Sequence, residues 1–241
     1  WSAAALPGVY SHDWSHRWGY QTNNSLGAYT GLATRREMIF LNNKLLVQKD
    51  STNALVPGSF CVDEDAARLY VKPPDDTDMN AVFIESAVRP RLVRIDEKPN
   101  LVLRNLVIQH YNLAIWMDAV PENAGYMGWG TAVQLRSLTN CLIDSCTFRF
   151  NNSSGLALTT KSTSHPLPQH VTLTNCMFAY NGGAGLYPSG WHVQMTDIHS
   201  MRSNWRGLLG GYTGWSQCGI KISRMHHARI SRFRARGNHA I

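Results

Sequence analysis

Between residues 101 and 241 the apolar positions recur in a fixed order at unequal distances. Residues 142–156 read Leu-Ile-Asp-Ser-Cys-Thr-Phe-Arg-Phe-Asn-Asn-Ser-Ser-Gly-Leu. Thirty residues later, 172–186 read Thr-Leu-Thr-Asn-Cys-Met-Phe-Ala-Tyr-Asn-Gly-Gly-Ala-Gly-Leu. Ile143, Cys146, Phe148, Asn151, Gly155 and Leu156 are answered by Leu173, Cys176, Phe178, Asn181, Gly185 and Leu186. The pattern extends both ways. Its first aliphatic falls at Leu103, Ile143, Leu173, Met195 and Ile230, with spacings of 40, 30, 22 and 35. Three residues on stand Leu106, Cys146, Cys176, Ile198 and Phe233. Five on stand Ile108, Phe148, Phe178 and Ala235, with Met201 displaced by one. Eight on stand Tyr111, Asn151, Asn181 and Asn238, with Asn204 displaced by one. Two on, the residues are polar: Asn105, Ser145, Asn175, Asp197 and Arg232.

A constant motif at variable spacing is one structural unit carrying loops of different length. The 22-residue spacing has room for three short strands and their turns, and too little for a propeller blade. It predicts an all-β chain whose main body is a right-handed parallel β-helix, each unit one coil, with like residues stacked in columns about 4.8 Å apart. Asn151 and Asn181 are expected to form an amide ladder, and the glycine four residues later to permit a left-handed bend. Before this body the period becomes that of short strands. Met38 to Leu41 and Leu45 to Val47 flank Asn42-Asn43, a hairpin signal. Phe60 to Val62 and Leu69 to Val71 flank an acidic turn, and a further strand is expected at Ala81 to Ile84. The expected organisation is an aromatic-rich segment or cap at 1–34, a small antiparallel β module at 35–91, and β-helix coils over 92–241.

Charged residues make up only 16% of the chain, with a formal net charge of +7. That balance suits an acidic partner, but basic residues without a recognisable nucleic-acid module argue against nucleic acid. No run of about eighteen apolar residues predicts a membrane span. The chain starts at Trp1 with no export signal and is read as a processed or excised piece. The five cysteines match no zinc spacing, no metal site is expected, and Cys146 and Cys176 are expected as buried free thiols.

Over residues 92–241 the pattern resembles the β-helix repeats of the pectate-lyase-like superfamily. Arg-Arg-Glu-Met-Ile-Phe-Leu at 35–41, Gly-Ser-Phe-Cys-Val-Asp at 58–63, Arg-Leu-Tyr-Val at 68–71 and Asn-Leu-Val-Leu-Arg-Asn-Leu-Val-Ile-Gln-His at 100–110 are similar to secreted bacterial β-helix proteins related to glycoside hydrolases, such as the family 120 β-xylosidases. So are Asn-Trp-Arg-Gly-Leu-Leu-Gly-Gly-Tyr-Thr-Gly-Trp at 204–215 and Gly-Asn-His-Ala-Ile at 237–241. The resemblance implies a carbohydrate-active protein, secreted, periplasmic or at the cell surface, with a glycan partner. It also implies that an acidic strand normally follows the position where this chain ends.

On a β-helix, function resides in outward residues and loops. The long inserts at 112–132, 159–169 and 207–222 are expected to follow the Asn turn, rise on one side and wall a groove. Counting from the glycines puts Asp118, Thr159, Ser189 and about Gly211 in one outward column, with 114–118 as the strand beside 156–159. Trp116, Tyr187, Trp191, His192, Arg206, Tyr212 and Trp215 are the expected substrate contacts. Glycoside hydrolysis uses two carboxyl groups about 5 to 9.5 Å apart, and Asp118 with Glu122 is the candidate pair. Asp144 and Asp197 are expected to serve turns. No cofactor is expected for a hydrolase. A polysaccharide lyase, the alternative, would use Lys161, Arg206 or Lys221 as base, with calcium on an acidic glycan; a third reading is a non-catalytic glycan-binding β-helix. The aromatic start, with Trp14, His16 and Trp18, is expected either to line a sugar site or to cap the body.

Overall fold

The computed structural model describes residues 1–20, 31–88, 93–112, 131–209 and 218–239. The N-terminal part is antiparallel apart from one short parallel pairing. It contains β1 (Ser2–Ala3), β2 (Tyr10–Asp13), β3 (Ile39–Leu41), β4 (Lys44–Leu45), β5 (Val47–Gln48), β6 (Ser59–Asp63), β7 (Arg68–Lys72) and β8 (Ile84–Ser86). One sheet has the order β1-β2-β7-β6-β5 and a second β4-β3-β8. Asn42 and Asn43 both take positive φ, 47° and 63°, between β3 and β4, as a primed hairpin turn requires. The expected strand at 81–84 forms slightly later, as β8. Trp14, Ile39, Leu41, Leu46, Phe60, Leu69 and Val71 make the core here, with Trp18 packed against it.

The rest is a parallel β-helix of three faces. Face 1 holds β9 (Val93–Asp96), β12 (Thr131–Arg136), β15 (Ser154–Thr159) and β17 (Leu186–Tyr187). Face 2 holds β10 (Val102–Arg104), β13 (Thr139–Asp144), and the first halves of the bent strands β16 (Gln169–Ala179), β19 (Gln194–Met201) and β21 (Arg229–Arg236), with β18 (Gly190–Trp191) and β20 (Met225–His226) at its near edge. Face 3 holds β11 (Val107–Gln109), β14 (Thr147–Arg149) and the second halves of β16, β19 and β21. The expected register is present: Leu103 pairs Ile143, which pairs Leu173, then Met195, then Ile230. Ile143, Leu173 and Met195 fill one apolar interior with Cys146, Cys176, Phe148 and Phe178, with Leu103 packed against it, while Ile230 is exposed; the two phenyl rings stack at 5.1 Å. Full burial of each such side chain contributes roughly 1.5–3 kcal/mol. All five cysteines are free, and burial pushes the Cys176 thiol up to about 11.

Two register expectations need correction. Ser200, not Met201, stands opposite Phe178 and Ala235; continuing that register, Ser203 rather than Asn204 follows Asn181. The backbone holds its hydrogen-bond register there, and the side-chain type yields. The amide ladder forms where amides are in step: Asn151 Nδ2 donates to Asn181 Oδ1 at 2.9 Å, and Asn181 Nδ2 donates to the Phe148 carbonyl at 2.9 Å. The glycines also act differently from the expected left-handed bend. A Cβ on Gly155 would lie 2.6 Å from the Gly185 carbonyl oxygen, and one on Gly185 2.7 Å from Phe178 Cβ. They permit close stacking of coils.

The left-handed positions belong instead to the corners, and non-glycine residues occupy them. Asn105, Ser145, Asn175, Asp197 and Arg232 turn face 2 into face 3 with φ between 50° and 57°. Asn100, Asn140, His170, His192 and His227 do the same ahead of face 2. His110, Phe150, Tyr180 and Arg202 do so after face 3, where Phe40 stacks on His110 at 4.0 Å and Phe150 on Tyr180 at 4.9 Å. A ring from β3 thus extends a ladder that the coils begin. Among the described residues no helix is long and apolar enough to cross a membrane.

Candidate functional site

Face 1 carries an insertion at its exit edge: residues 160–168 lie between β15 and β16, where the coil before has the Ser137 corner. Insert 159–169 therefore does not follow the Asn turn as expected for it. The expected inserts at 112–132 and 207–222 fall mostly outside the described residues. The outward surface of face 1 is the candidate site.

That surface is fixed by register. The inward residues Val133, Leu135, Leu156, Leu158 and Leu186 belong to the core. Alternation sends their neighbours outward, giving one column of Arg94, Gln134, Ala157 and Tyr187, and a second of Asp96, Arg136 and Thr159. The position beside Thr159 is therefore Arg136 of β12. The expected strand at 114–118, with Asp118, lies outside the described residues; among those described, the column's carboxylate is Asp96. Arg136 clamps Asp96 as a fork, Nε to Oδ1 at 2.7 Å and Nη2 to Oδ2 at 2.8 Å, while Arg94 Nη2 reaches Oδ2 at 2.9 Å. Two guanidinium groups on one carboxylate leave excess positive charge and hold Asp96 as an acceptor. At the exit edge Glu97 meets Lys161 Nζ, and His165 Nε2 at 3.3 Å. The Lys161 hydrogen bond keeps the Glu97 carboxyl below the usual carboxylate range. Ser189 is buried, its Oγ donating to the Leu158 carbonyl at 2.5 Å. Lys221 follows Ile220, which bridges Leu186, and burial lowers its pKa.

The sequence candidates separate. Tyr187 lies on face 1. Trp191 and His192 lie round the next corner, at the start of face 2, and are exposed. Arg206 corrects the expectation of a substrate contact or base: it is fully buried. Its Nε donates to Asn152 Oδ1 at 2.5 Å, Nη2 to the Glu37 carbonyl at 2.9 Å and Nη1 to the Leu32 carbonyl at 3.1 Å. Burial pushes its pKa down to about 9. It is an anchor joining the N-terminal sheets to the coils. Lys161, tied to Glu97, is likewise committed. Asp118, Glu122, Trp116, Tyr212 and Trp215 lie outside the described residues. Asp144 and Asp197 pair with Arg104 and Arg232 of adjacent coils. At the N-terminus, Trp18 stacks on His16 and lies under Arg36, so both of its faces are in use. The described residues contain no group of three or more His, Cys, Asp or Glu able to hold a metal ion, and they supply calcium with no ligand set. Missing from the sequence reading were Arg94, Asp96 and Arg136. The period-two patterns Val-Arg-Ile-Asp at 93–96 and Ala-Val-Gln-Leu-Arg at 132–136 are the signal for them.

No protein-family model matches the sequence, and no curated protein matches it. Among solved structures, one described as the complex structure of XylC with xylose matches with a TM-score of 0.60 and 12% identity, covering 92% of this chain and 47% of that one. The chain thus spans about half the length of that protein. At this identity the likeness is one of fold, and the protein is an all-β parallel β-helix.

Proposed function

We propose that the chain is part of a carbohydrate-active β-helix protein that hydrolyses a glycan lying across face 1. The observation that carries this reading is the outward surface of face 1: a parallel sheet with the 160–168 loop at one edge and outward columns of Arg94, Gln134, Ala157 and Tyr187 and of Asp96, Arg136 and Thr159. Polar side chains beside an aromatic ring are of the kind that suits a hydroxyl-rich ligand. That a β-helix of this fold is described in complex with xylose supports a sugar on that face. So does the resemblance to secreted bacterial family 120 proteins, which also suggests an extracellular, periplasmic or surface location.

Asp96 is taken up by Arg136 and Arg94, so the catalytic carboxyl groups are proposed on the insert. Asp118 and Glu122 are the pair. The stem of that insert is held firmly: Asn112 is buried, donates to the Ala87 carbonyl at 2.5 Å and accepts from Arg36 Nε at 2.9 Å. One observation favours a lyase as the second reading: Lys221 follows Ile220, whose bridge to Leu186 sets it beside face 1, and burial lowers its pKa, the direction a general base needs. Incubation with neutral and acidic glycans separates the two. Hydrolysis gives new reducing ends without the ultraviolet absorbance of an unsaturated uronate, and elimination gives both. Binding without products overturns both enzyme readings.

A further inference from the structure

Round the corner from face 1, two columns of one repeat position each run along the solenoid axis. The first carries Thr139, Gln169, Trp191 and His226. The second carries the left-handed residues Asn100, Asn140, His170, His192 and His227. Asn140 Nδ2 donates to Asn100 Oδ1 at 2.5 Å, and beyond them the amide ladder becomes an imidazole ladder. The His170 and His192 rings stack at 4.8 Å and 4°, and those of His192 and His227 at 5.1 Å and 13°. Trp191 stacks on His226 at 4.2 Å. All five of these rings are exposed.

The stacking decides what the surface can bind. His192 has both faces covered by other imidazoles, and Trp191 has one covered by His226. The strip is therefore no platform for a sugar ring; it meets solvent with ring edges, which carry the N–H groups. An indole edge only donates, and a protonated imidazole donates from both nitrogens. Neither column contains a carboxylate, and Arg224 and Arg229 flank His226 and His227 in sequence. The charged groups at the preceding corner, Glu97, Lys161 and His165, are bound to one another. The result is a comb of donors at one-coil intervals with no acidic group to oppose an anion.

We propose that His170, Trp191, His192, His226 and His227 form a binding surface for a polyanionic glycan, a chain bearing carboxylate or sulfate groups at regular intervals and lying along the solenoid axis. It is separate from face 1 and stands whether or not that face is catalytic.

The test uses the intact chain, with calorimetric titration by an oligogalacturonate, a neutral oligoglucan and a single-stranded oligonucleotide at one pH and one salt concentration. The comparison variant is His170→Asn, His192→Asn, His227→Asn, because Asn100 and Asn140 already hold this column in the same conformation. The control is Arg234→Gln with Arg236→Gln, on the other side of the β21 bend. Oligogalacturonate affinity is expected to fall about tenfold or more in the Asn variant, as loss of a charge-assisted hydrogen bond implies. It is also expected to survive the Arg control, with the unfolding midpoint of the Asn variant unchanged. Absent oligogalacturonate binding, undiminished binding by the Asn variant, loss in the Arg control, equal affinity for the neutral glucan, or an oligonucleotide that binds as well at the same salt would each overturn the proposal.

Discussion

Replacing Asn181 by Ala removes both ends of an amide bridge between coils. Asn181 is fully buried. Its Oδ1 accepts from Asn151 Nδ2 at 2.9 Å and its Nδ2 donates to the Phe148 carbonyl at 2.9 Å. The substitution leaves the Phe148 carbonyl without that donor and reduces Asn151 Nδ2 to its 3.4 Å bond with the Ile108 carbonyl. Each buried polar group left short costs about 1–3 kcal/mol, so the pair amounts to about 2–6 kcal/mol, before any contribution from the small cavity. Gln194, exposed on β19, is the reference, with an expected change within about 0.5 kcal/mol. Urea unfolding of both variants reads the difference as a shift in midpoint at constant slope. In a chain of this size the Asn181 variant should melt on the order of 10 °C lower. Equal midpoints for the two variants would refute the ladder as a source of stability.

Three further substitutions probe other parts of the molecule. Gly182→Ala places a Cβ 2.0 Å from the Asn152 carbonyl oxygen, which the stacked backbones cannot relieve; it should lower the unfolding midpoint more than Asn181→Ala or prevent folding, as soluble yield and circular dichroism will show. Arg206→Met strips the donor from the Glu37 and Leu32 carbonyls and Asn152, costing about 3–5 kcal/mol. An unchanged midpoint combined with altered glycan turnover would refute its role as an anchor. Asp197 is held below the usual carboxylate range, chiefly by its hydrogen bond from Arg232. A carboxyl with a depressed folded pKa stabilises the fold above its unfolded value near ~3.9 and loses that contribution as pH falls through the lower folded value. Thermal midpoints of Asp197→Asn should therefore decline less below about pH 4 than those of the parent.

The apolar columns were legible because buried positions in a solenoid repeat the same residue class: Leu103, Ile143, Leu173, Met195 and Ile230 stack as their spacing implied. What escaped was set by backbone geometry rather than side-chain class. The alternating Ala-Ile-Trp-Met-Asp at 114–118 reads as a strand but lies outside the described residues, and hydrogen-bond register sets Thr131–Arg136 beside β15. The corners were invisible for a related reason. Left-handed residues are usually Gly, Asn or Asp, yet His170, His192, Phe150 and Tyr180 adopt that conformation, each where the next coil supplies a ring to stack against. Arg206 looked like a groove residue because its neighbours are Trp205 and Gly207. Only the tertiary structure reveals that Leu32 and Glu37 close over it.

The most direct test of the proposed activity is product analysis after the chain is incubated with a panel of neutral and acidic plant and algal glycans, alongside Asp118→Asn and Glu122→Gln. New reducing ends without unsaturated-uronate absorbance, lost in both variants, are the expected result. Unsaturated products, no products from any glycan, or hydrolysis that persists in both variants would contradict a hydrolase whose carboxyl pair is Asp118 and Glu122.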